Sequence, residues 1–290
     1  MPVSIRPLHP VFVGEVAGID CRSPLNPAEV TAIESGMDQY AVLVFRDQDL
    51  ADEEQIAFTR HFGELEGYST PGHIRRRAEQ RLGPGIADFS NLDKDGRIMS
   101  AEDRVWFFKL GDRLWHSDSS FRSVPAKYSL LSGRVIPSWG ANTEFADMRA
   151  AYDALDERTQ AEVEDLVCEH SLIYSREAIG FTDLSPEEIA AFRPVHQPLV
   201  RTHPVTGRKS IYVNPQFTLH IEGMEPVESQ AILNVLFAQA QVPEYQFRLR
   251  WTPGMIVFWD NRSTQHYAAN DYYPERRRME RTAVVGDVPF

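Results

Sequence analysis

A histidine and an aspartate stand two residues apart in the segment "LWHSDSSF", at His116 and Asp118. In an extended segment alternate side chains share a face, so this imidazole and carboxylate would point the same way. Two chemistries fit. One is a hydrogen-bonded His–Asp pair at a strand end or turn. The other is half of a metal site, since imidazole and carboxylate both ligate divalent ions. His-x-Asp is short and recurs by chance, so the second reading needs a third ligand. His266 is the best placed. It follows "GMIVFWDNRSTQ", an apolar run breaking into a polar turn, which brings a side chain to the mouth of a sheet. Two histidines and one carboxylate make the facial triad that leaves open positions on ferrous iron. His9, His61, His73, His170, His196, His203 and His220 lie in loops, at a helix end or alone. Histidines so placed are more often surface or satisfied residues than ligands.

Arg277 follows His266 by eleven residues and Arg281 comes four later. In a strand, Arg277, Met279 and Arg281 share a face, with the guanidiniums roughly 13 Å apart. Guanidinium forks bind carboxylates in bidentate fashion. Two inward arginines would hold two anions around one metal. The competing reading is one structural salt bridge and one solvated arginine. If Arg281 faces the pocket, its cation is expected to stay unpaired until an acid binds.

The elements that must position these residues are mostly legible. "NPAEVTAIESGMDQY" reads as a helix with Asn26 as N-cap and Pro27 at its first position. "AVLVF", Ala41–Phe45, reads as a buried strand, and "LADEEQIAFTRHFG" as a helix closed by Gly63. Residues 67–113 hold Pro71, Gly72, Gly83, Pro84 and Gly85, with weak helix or strand signals, and read as an active-site lid or loop. Strands are expected in "YSLLSGRVI" and "NTEFAD", with Asp147 capping "MRAAYDAL". "DERTQAEVEDLVCEH" reads as a helix and "LVRTHPVTGRKSIYVN" as a hairpin. A helix over Glu225–Gln241 would show Ile232, Leu233, Leu236 and Phe237 on one side. "YQFRLRW", "GMIVFWD" and "RTAVVGD" complete the strands. The pattern gives one α+β domain, a β-barrel or sandwich with flanking and inserted helices.

The chain has 290 residues and a net charge of −12, which argues against binding nucleic acid through phosphate contacts. Cys21 and Cys168 offer neither a disulfide framework nor zinc spacing. The start has no apolar signal region, and no run approaches the roughly 20 residues that span a bilayer. No membrane association is expected, and cytoplasmic residence follows by default.

These segments, with "GANTEFADMRAAYDAL", "PLVRTHPVTGRKS", "WDNRSTQHYAANDYYPERRRMERTAVVGD", "VLVFRDQDL" and "FTRHFGELEG", resemble the taurine dioxygenase and 2,4-dichlorophenoxyacetate dioxygenase family of iron(II)- and 2-oxoglutarate-dependent oxygenases. The resemblance covers nearly the whole chain. It implies a double-stranded β-helix, or jelly roll, in a single domain over residues 1–290, and a homo-oligomer, dimer or tetramer. His116, Asp118 and His266 would hold Fe(II). Arg277 and Thr143 would meet the distal carboxylate of 2-oxoglutarate, and Arg281 the anion of a small-molecule substrate. Ser119, Phe121 and, in the loop after "FGELE", Tyr68 would contact that substrate. With O2, the cosubstrate would give succinate and carbon dioxide while a substrate C–H is hydroxylated. Asp118 argues for hydroxylation, because related halogenases lack this carboxylate. The leading expectation is hydroxylation of an aryloxyalkanoate or other carboxylate next to its acid group. The alternatives are a taurine, alkylsulfonate or sulfate-ester dioxygenase releasing sulfite or sulfate, and a metal-binding jelly-roll sensor without turnover.

Overall fold

Asn26 and Pro27 start a helix as their types predict. It runs Pro27–Tyr40. The Asn26 side chain accepts from the Glu29 N–H, and the Glu29 carboxylate accepts from the Asn26 N–H. The computed structural model describes residues 2–67, 81–100 and 102–290. Tyr68 and His73 lie outside the described residues.

Val42–Phe45 and Ile256–Asp260 are buried on both faces. Val42, Val44, Val257 and Trp259 enter one core, while Leu43, Phe45, Ile256 and Phe258 enter another. A strand covered on both sides has no polar face, so it reads as an unbroken apolar run. The two strands are neighbours in a seven-stranded sheet. Its spatial order is Ser4–Pro7, Gly14–Ala17, Val42–Phe45, Ile256–Asp260, Ala126–Val135, Arg278–Val285 and Ala87–Asp88. Pairing is antiparallel except between Gly14–Ala17 and Val42–Phe45.

One face of this sheet packs on the first helix through Ile33 and Met37 and on Asp52–Arg60 through Phe58. The other face meets a three-stranded antiparallel sheet of Gln246–Leu249, Thr143–Asp147 and Thr264–Ala268. Phe145, Leu249, Trp259 and Met279 fill the space between. A third core gathers Leu233 and Leu236 of the helix Pro226–Gln239, Cys168, and the hairpin Val200–Thr202 with Lys209–Ile211. The fold is thus mixed α/β. Among the described residues no helix is long and apolar enough to cross a membrane.

Two expectations change. The helix expected through "DERTQAEVEDLVCEH" stops at Val163, and Val167–His170 is a strand paired with Val195–Pro198 and Thr218–Ile221. Cys168 and His170 are buried and Val167 is exposed, an alternation that a short apolar run hides. Residues 67–113 are also partly regular. Ala87–Asp88 pairs with Glu280 and Arg281, and the Phe89 and Asn91 N–H groups donate to the carbonyls of Met279 (3.0 Å) and Arg277 (3.1 Å). Arg104–Lys109 is a helix capped by the Asp103 carboxylate, and one turn and a half is too short to show periodicity.

Candidate active site

Backbone pairing joins the two histidines. The His116 N–H donates to the His266 carbonyl at 3.0 Å, and the His266 N–H donates back at 2.8 Å. Their ring centroids are 4.1 Å apart. His116 Nε2 and Asp118 Oδ1 are separated by 3.9 Å, too far for a hydrogen bond. The simple His–Asp pair is therefore not formed. One ligand atom from each of His116, Asp118 and His266 falls within 4.8 Å of the others, and all three residues are buried.

The protonation of these groups suits a metal. His116 Nδ1 is 2.8 Å from the Leu114 carbonyl, which can only accept, so Nδ1 carries a hydrogen and Nε2 is the nitrogen placed to meet a metal. Burial pushes the His266 pKa down to about 3. His116 and Arg281 add to that push, and Asp118 opposes it. Burial works against ionisation of Asp118. Arg281, then His266, His116 and the Ser129 hydroxyl, outweigh it and hold the carboxyl well below the ordinary range. Two imidazoles, that of His266 held neutral by burial, and an ionised carboxylate are the donor types of a ferrous facial triad. His266 Nδ1 is buried without a hydrogen-bond partner among the described residues.

A buried chain of hydrogen bonds aims Asp118. The Ser129 hydroxyl donates to Asp118 Oδ2 at 2.6 Å, and Asn261 Nδ2 donates to Ser129 Oγ at 3.0 Å. Asn261 Oδ1 accepts from the Asp118 N–H and from Trp259 Nε1, at 3.1 and 3.0 Å. Orienting groups of this kind commonly govern metal affinity. Neither Ser129 nor Asn261 stood out in the sequence, because a serine inside a strand and an asparagine just after one are commonplace.

The arginines divide in behaviour. Arg277 lies just before the strand that begins at Arg278, and is buried. Its Nη1 donates to the Phe89 carbonyl at 3.3 Å, its guanidinium carbon is 5.7 Å from the Tyr272 ring centre, and its Nε has no partner. Among the described residues no carboxylate pairs with it. Burial lowers its pKa, with Tyr272 opposing. A buried cation lacking a counter-ion invites an anion. Arg277 also lines a cavity of about 60 Å³ with Phe89, Ser90, Trp106, Lys109 and Tyr272. Ala268, the strand partner of Thr143, is on its wall. The Thr143 hydroxyl accepts from Trp251 Nε1 at 2.9 Å, which leaves its own hydrogen to donate. The expected lid thus supplies much of this lining. Lys109, unremarked in the sequence, donates to the Asp88 and Ser90 carbonyls at 3.2 and 2.6 Å.

Arg281 corrects an expectation. It faces inward with Met279, while Glu280 turns to the other side and pairs with Arg134 at 2.7 Å. Arg281 is not an unpaired cation, however. Its Nη1 is ion-paired with Asp118 Oδ1, and its guanidinium lies 4.3 Å from the centre of the Phe89 ring. The nearest buried anion is the proposed metal ligand, a contact between residues too distant in sequence to read. Ser119 is buried with φ +58°, a left-handed turn position. Phe121 is half-buried against Phe217. Phe217 itself was missed, being a lone aromatic in "NPQFTLH".

A mixed α/β fold with two histidines and a carboxylate gathered between its sheets has the architecture of a mononuclear non-haem iron oxygenase. The chain belongs to the taurine catabolism dioxygenase TauD, TfdA family, whose model matches residues 4–283. It is 41% identical over 289 residues to the alpha-ketoglutarate-dependent 2,4-dichlorophenoxyacetate dioxygenase of Cupriavidus pinatubonensis, covering 99% of each chain. It is 38% identical to the (S)-phenoxypropionate/alpha-ketoglutarate-dioxygenase of Sphingobium herbicidovorans, covering 98% of this chain and 95% of that one. The crystal structure of AAD-2 in complex with Mn(II) and N-oxalylglycine superposes with a TM-score of 0.95. The two chains share 49% identity over 100% of this chain and 99% of that one.

Proposed function

We propose that this protein is an Fe(II)- and 2-oxoglutarate-dependent dioxygenase that hydroxylates a small organic acid, of the aryloxyalkanoate type, on the carbon beside its anionic group. The observation that carries the reading is the buried His116–Asp118–His266 cluster, its ligand atoms within 4.8 Å of one another. The relatives named for 2,4-dichlorophenoxyacetate and (S)-phenoxypropionate support the substrate class. We read the chain as one catalytic domain on a jelly-roll core, resident in the cytoplasm and assembled as a dimer or tetramer.

His116 Nε2, His266 and Asp118 would hold the iron. Bound iron(II) supplies open coordination positions and the redox chemistry that couples decarboxylation of 2-oxoglutarate to oxidation of a C–H bond. The chain's own residues bind and orient. Arg277 and the Thr143 hydroxyl would take the distal carboxylate of 2-oxoglutarate, giving the buried guanidinium its counter-ion. Arg281 would turn from Asp118 to the acid group of the substrate. Ser119 and Phe121 would border the substrate, and Tyr68 is kept as a proposed contact from the sequence. The hydrophobic walls exclude water. With an aryloxyacetate, 2-oxoglutarate and O2 become succinate and carbon dioxide. The methylene gains a hydroxyl, and the hemiacetal collapses to a phenol and glyoxylate.

The test is aerobic turnover of phenoxyacetate beside taurine and an alkyl sulfate, scoring phenol, sulfite and sulfate against succinate. Phenol matched to succinate is expected. Sulfite or sulfate alone would move the substrate to the sulfur acids. His116→Ala, Asp118→Ala and His266→Ala should each abolish metal binding. Retention of binding and turnover in any two would remove the triad assignment.

A further inference from the structure

The segment "RTHPVTGRKS" supplies none of the candidate ligands, yet its histidine is buried against the turn that carries their supports. His203 opens the turn between the strands Val200–Thr202 and Lys209–Ile211. Its backbone N–H donates to the Arg208 carbonyl at 2.8 Å, and its carbonyl accepts from the Gly207 N–H at 2.9 Å. Its ring Nδ1 accepts from the N–H groups of Val205 and Thr206, at 3.3 and 3.1 Å. That leaves Nε2 to donate, and Nε2 lies 3.1 Å from Asp260 Oδ2. Asp38 is 3.9 Å from the same nitrogen, too far for a hydrogen bond. Arg262 grips the Asp260 carboxylate from two sides, Nε to Oδ1 at 2.9 Å and Nη2 to Oδ2 at 2.7 Å. All three side chains are buried. Burial works against ionisation of Asp260, and Arg262 with His203 outweighs it and holds the carboxyl well below the ordinary range.

Asp260 ends a strand of the larger sheet and Thr264 begins one of the smaller sheet, so the turn between them is where the chain crosses over. Every polar group of Asp260 helps to shape that turn. Its N–H donates to the Ala41 carbonyl at 2.8 Å, its carbonyl accepts from Thr264 Oγ1 at 2.7 Å, and its Oδ1 also accepts the Arg262 N–H at 2.8 Å. Two members of the turn then reach the site. Asn261, between Asp260 and Arg262, accepts the Asp118 N–H and donates to Ser129. The Thr264 carbonyl accepts from the Ser117 hydroxyl at 2.8 Å, between His116 and Asp118 in the chain. His266 follows Thr264 by two residues on the same strand. A shift of this turn would therefore move the supports of Asp118 and the strand of His266 together.

We propose that His203, Asp260 and Arg262 are positioning residues for the metal centre: the His203 ring locks the turn Asp260–Thr264, and the turn sets where Asp118 and His266 stand. The proposal rests on the triad reading above and extends it to a hairpin whose histidine touches no ligand. Burying an ion pair gives little net stability over packed apolar side chains, so what Asp260 and Arg262 supply is a fixed arrangement. A fully satisfied buried network has that effect on the groups around it. Positioning groups around a metal site commonly govern its affinity even without contact to the ion.

The experiment measures Mn(II) binding by equilibrium dialysis and records the visible band of the anaerobic iron(II)–2-oxoglutarate protein. Two amides divide the ring's roles. His203→Asn keeps an acceptor near the place of Nδ1, for Val205 and Thr206, and loses the donor to Asp260. His203→Gln keeps a donor near the place of Nε2. His203→Asn should weaken Mn(II) binding about tenfold and shift the band, and His203→Gln should recover most of both. Arg262→Lys keeps the charge but not the two-pronged grip, and should weaken binding by a similar factor, which keeps the test decisive if His203→Asn misfolds. Arg201→Met is the control. Arg201 is buried on the same hairpin but pairs with Asp287 at 2.7 Å and lies 5.1 Å from the Tyr212 ring centre. Its variant should lower the urea midpoint and leave Mn(II) affinity at the parental value. A parent that binds no Mn(II), or binds it equally well as Asp118→Ala, overturns the triad reading and this proposal with it. Triad-dependent binding that is unmoved in the folded His203→Asn or Arg262→Lys protein overturns the positioning role alone. Equal weakening in Arg201→Met, or in His203→Gln and His203→Asn alike, overturns it too, because the loss would then follow general packing and not the bond to Asp260.

Discussion

Replacing Ser129 with alanine removes a single oxygen and tests how Asp118 is aimed. The Ser129 hydroxyl donates to Asp118 Oδ2 at 2.6 Å and accepts from Asn261 Nδ2 at 3.0 Å. All three side chains are buried, so water cannot replace what is lost. The variant leaves a carboxylate oxygen without its donor and an amide hydrogen without its acceptor. A hydrogen bond to a charged group is worth ~1.5–3 kcal/mol. At about 1.4 kcal/mol per factor of ten, that is one to two powers of ten. Loss of a group that orients a metal ligand usually costs a similar amount. Equilibrium dialysis against Mn(II) should therefore give a dissociation constant about 10–100-fold weaker than that of the parent. Ser132→Ala is the control. Ser132 is buried on the same strand, but its hydroxyl donates to Gln55 Oε1 at 2.7 Å, away from the ligands. It should cost folding stability and spare metal affinity. Equal weakening in both variants, or none in Ser129→Ala, would refute the aiming argument.

Arg277→Ala should cost roughly 2–5 kcal/mol of 2-oxoglutarate binding, raising its apparent constant tens-fold or more in steady-state assays. If only the substrate constant moves, the two arginines have exchanged roles. Arg281→Ala should raise the ratio of succinate to oxidised product, because the cosubstrate site persists while the substrate acid loses its anchor. An unchanged ratio, or equal turnover of an acid and its methyl ester by the parent, would take Arg281 out of substrate binding. His170 links stability to pH. Its folded pKa is about 3 against an ordinary 6.5, so the unfolded chain binds the extra proton and stability falls as pH drops from 6.5 towards 3. Urea melts at pH 7 and pH 5 should show about 2 kcal/mol of loss from this group, and a shallower slope in His170→Gln. A slope identical to the parent's would mean that His170 is not buried in neutral form.

The candidate ligand cluster was legible because the chemistry constrains residue type, and because His116 and Asp118 lie close enough in sequence for strand geometry to relate them. Asn26 and Asp147 were legible for the same local reason: a cap and the N–H groups it serves are neighbours. The supports were not. Ser129 meets Asp118 across eleven residues, Asn261 meets Ser129 from the adjoining strand, and Arg281 meets Asp118 only once the strands are paired. Val167–His170 failed differently. Its four residues satisfy helical and strand patterns alike, and pairing with two other strands decides.

The mutual backbone bonds between His116 and His266 have a consequence for biosynthesis. These residues are about 150 positions apart, yet each carbonyl accepts the other's N–H. Contacts so distant in sequence are made late, since the loop between them must close before either bond forms. During translation His116 and Asp118 emerge long before His266, so a ribosome-bound chain carries only two of the three candidate ligands while Ala126–Val135 and Ile256–Asp260 of the larger sheet, and Thr143–Asp147 of the smaller one, are being made. Selection of the metal is thereby deferred to the nearly finished protein, and the ion it takes is decided by what that compartment offers at the moment the last strands join.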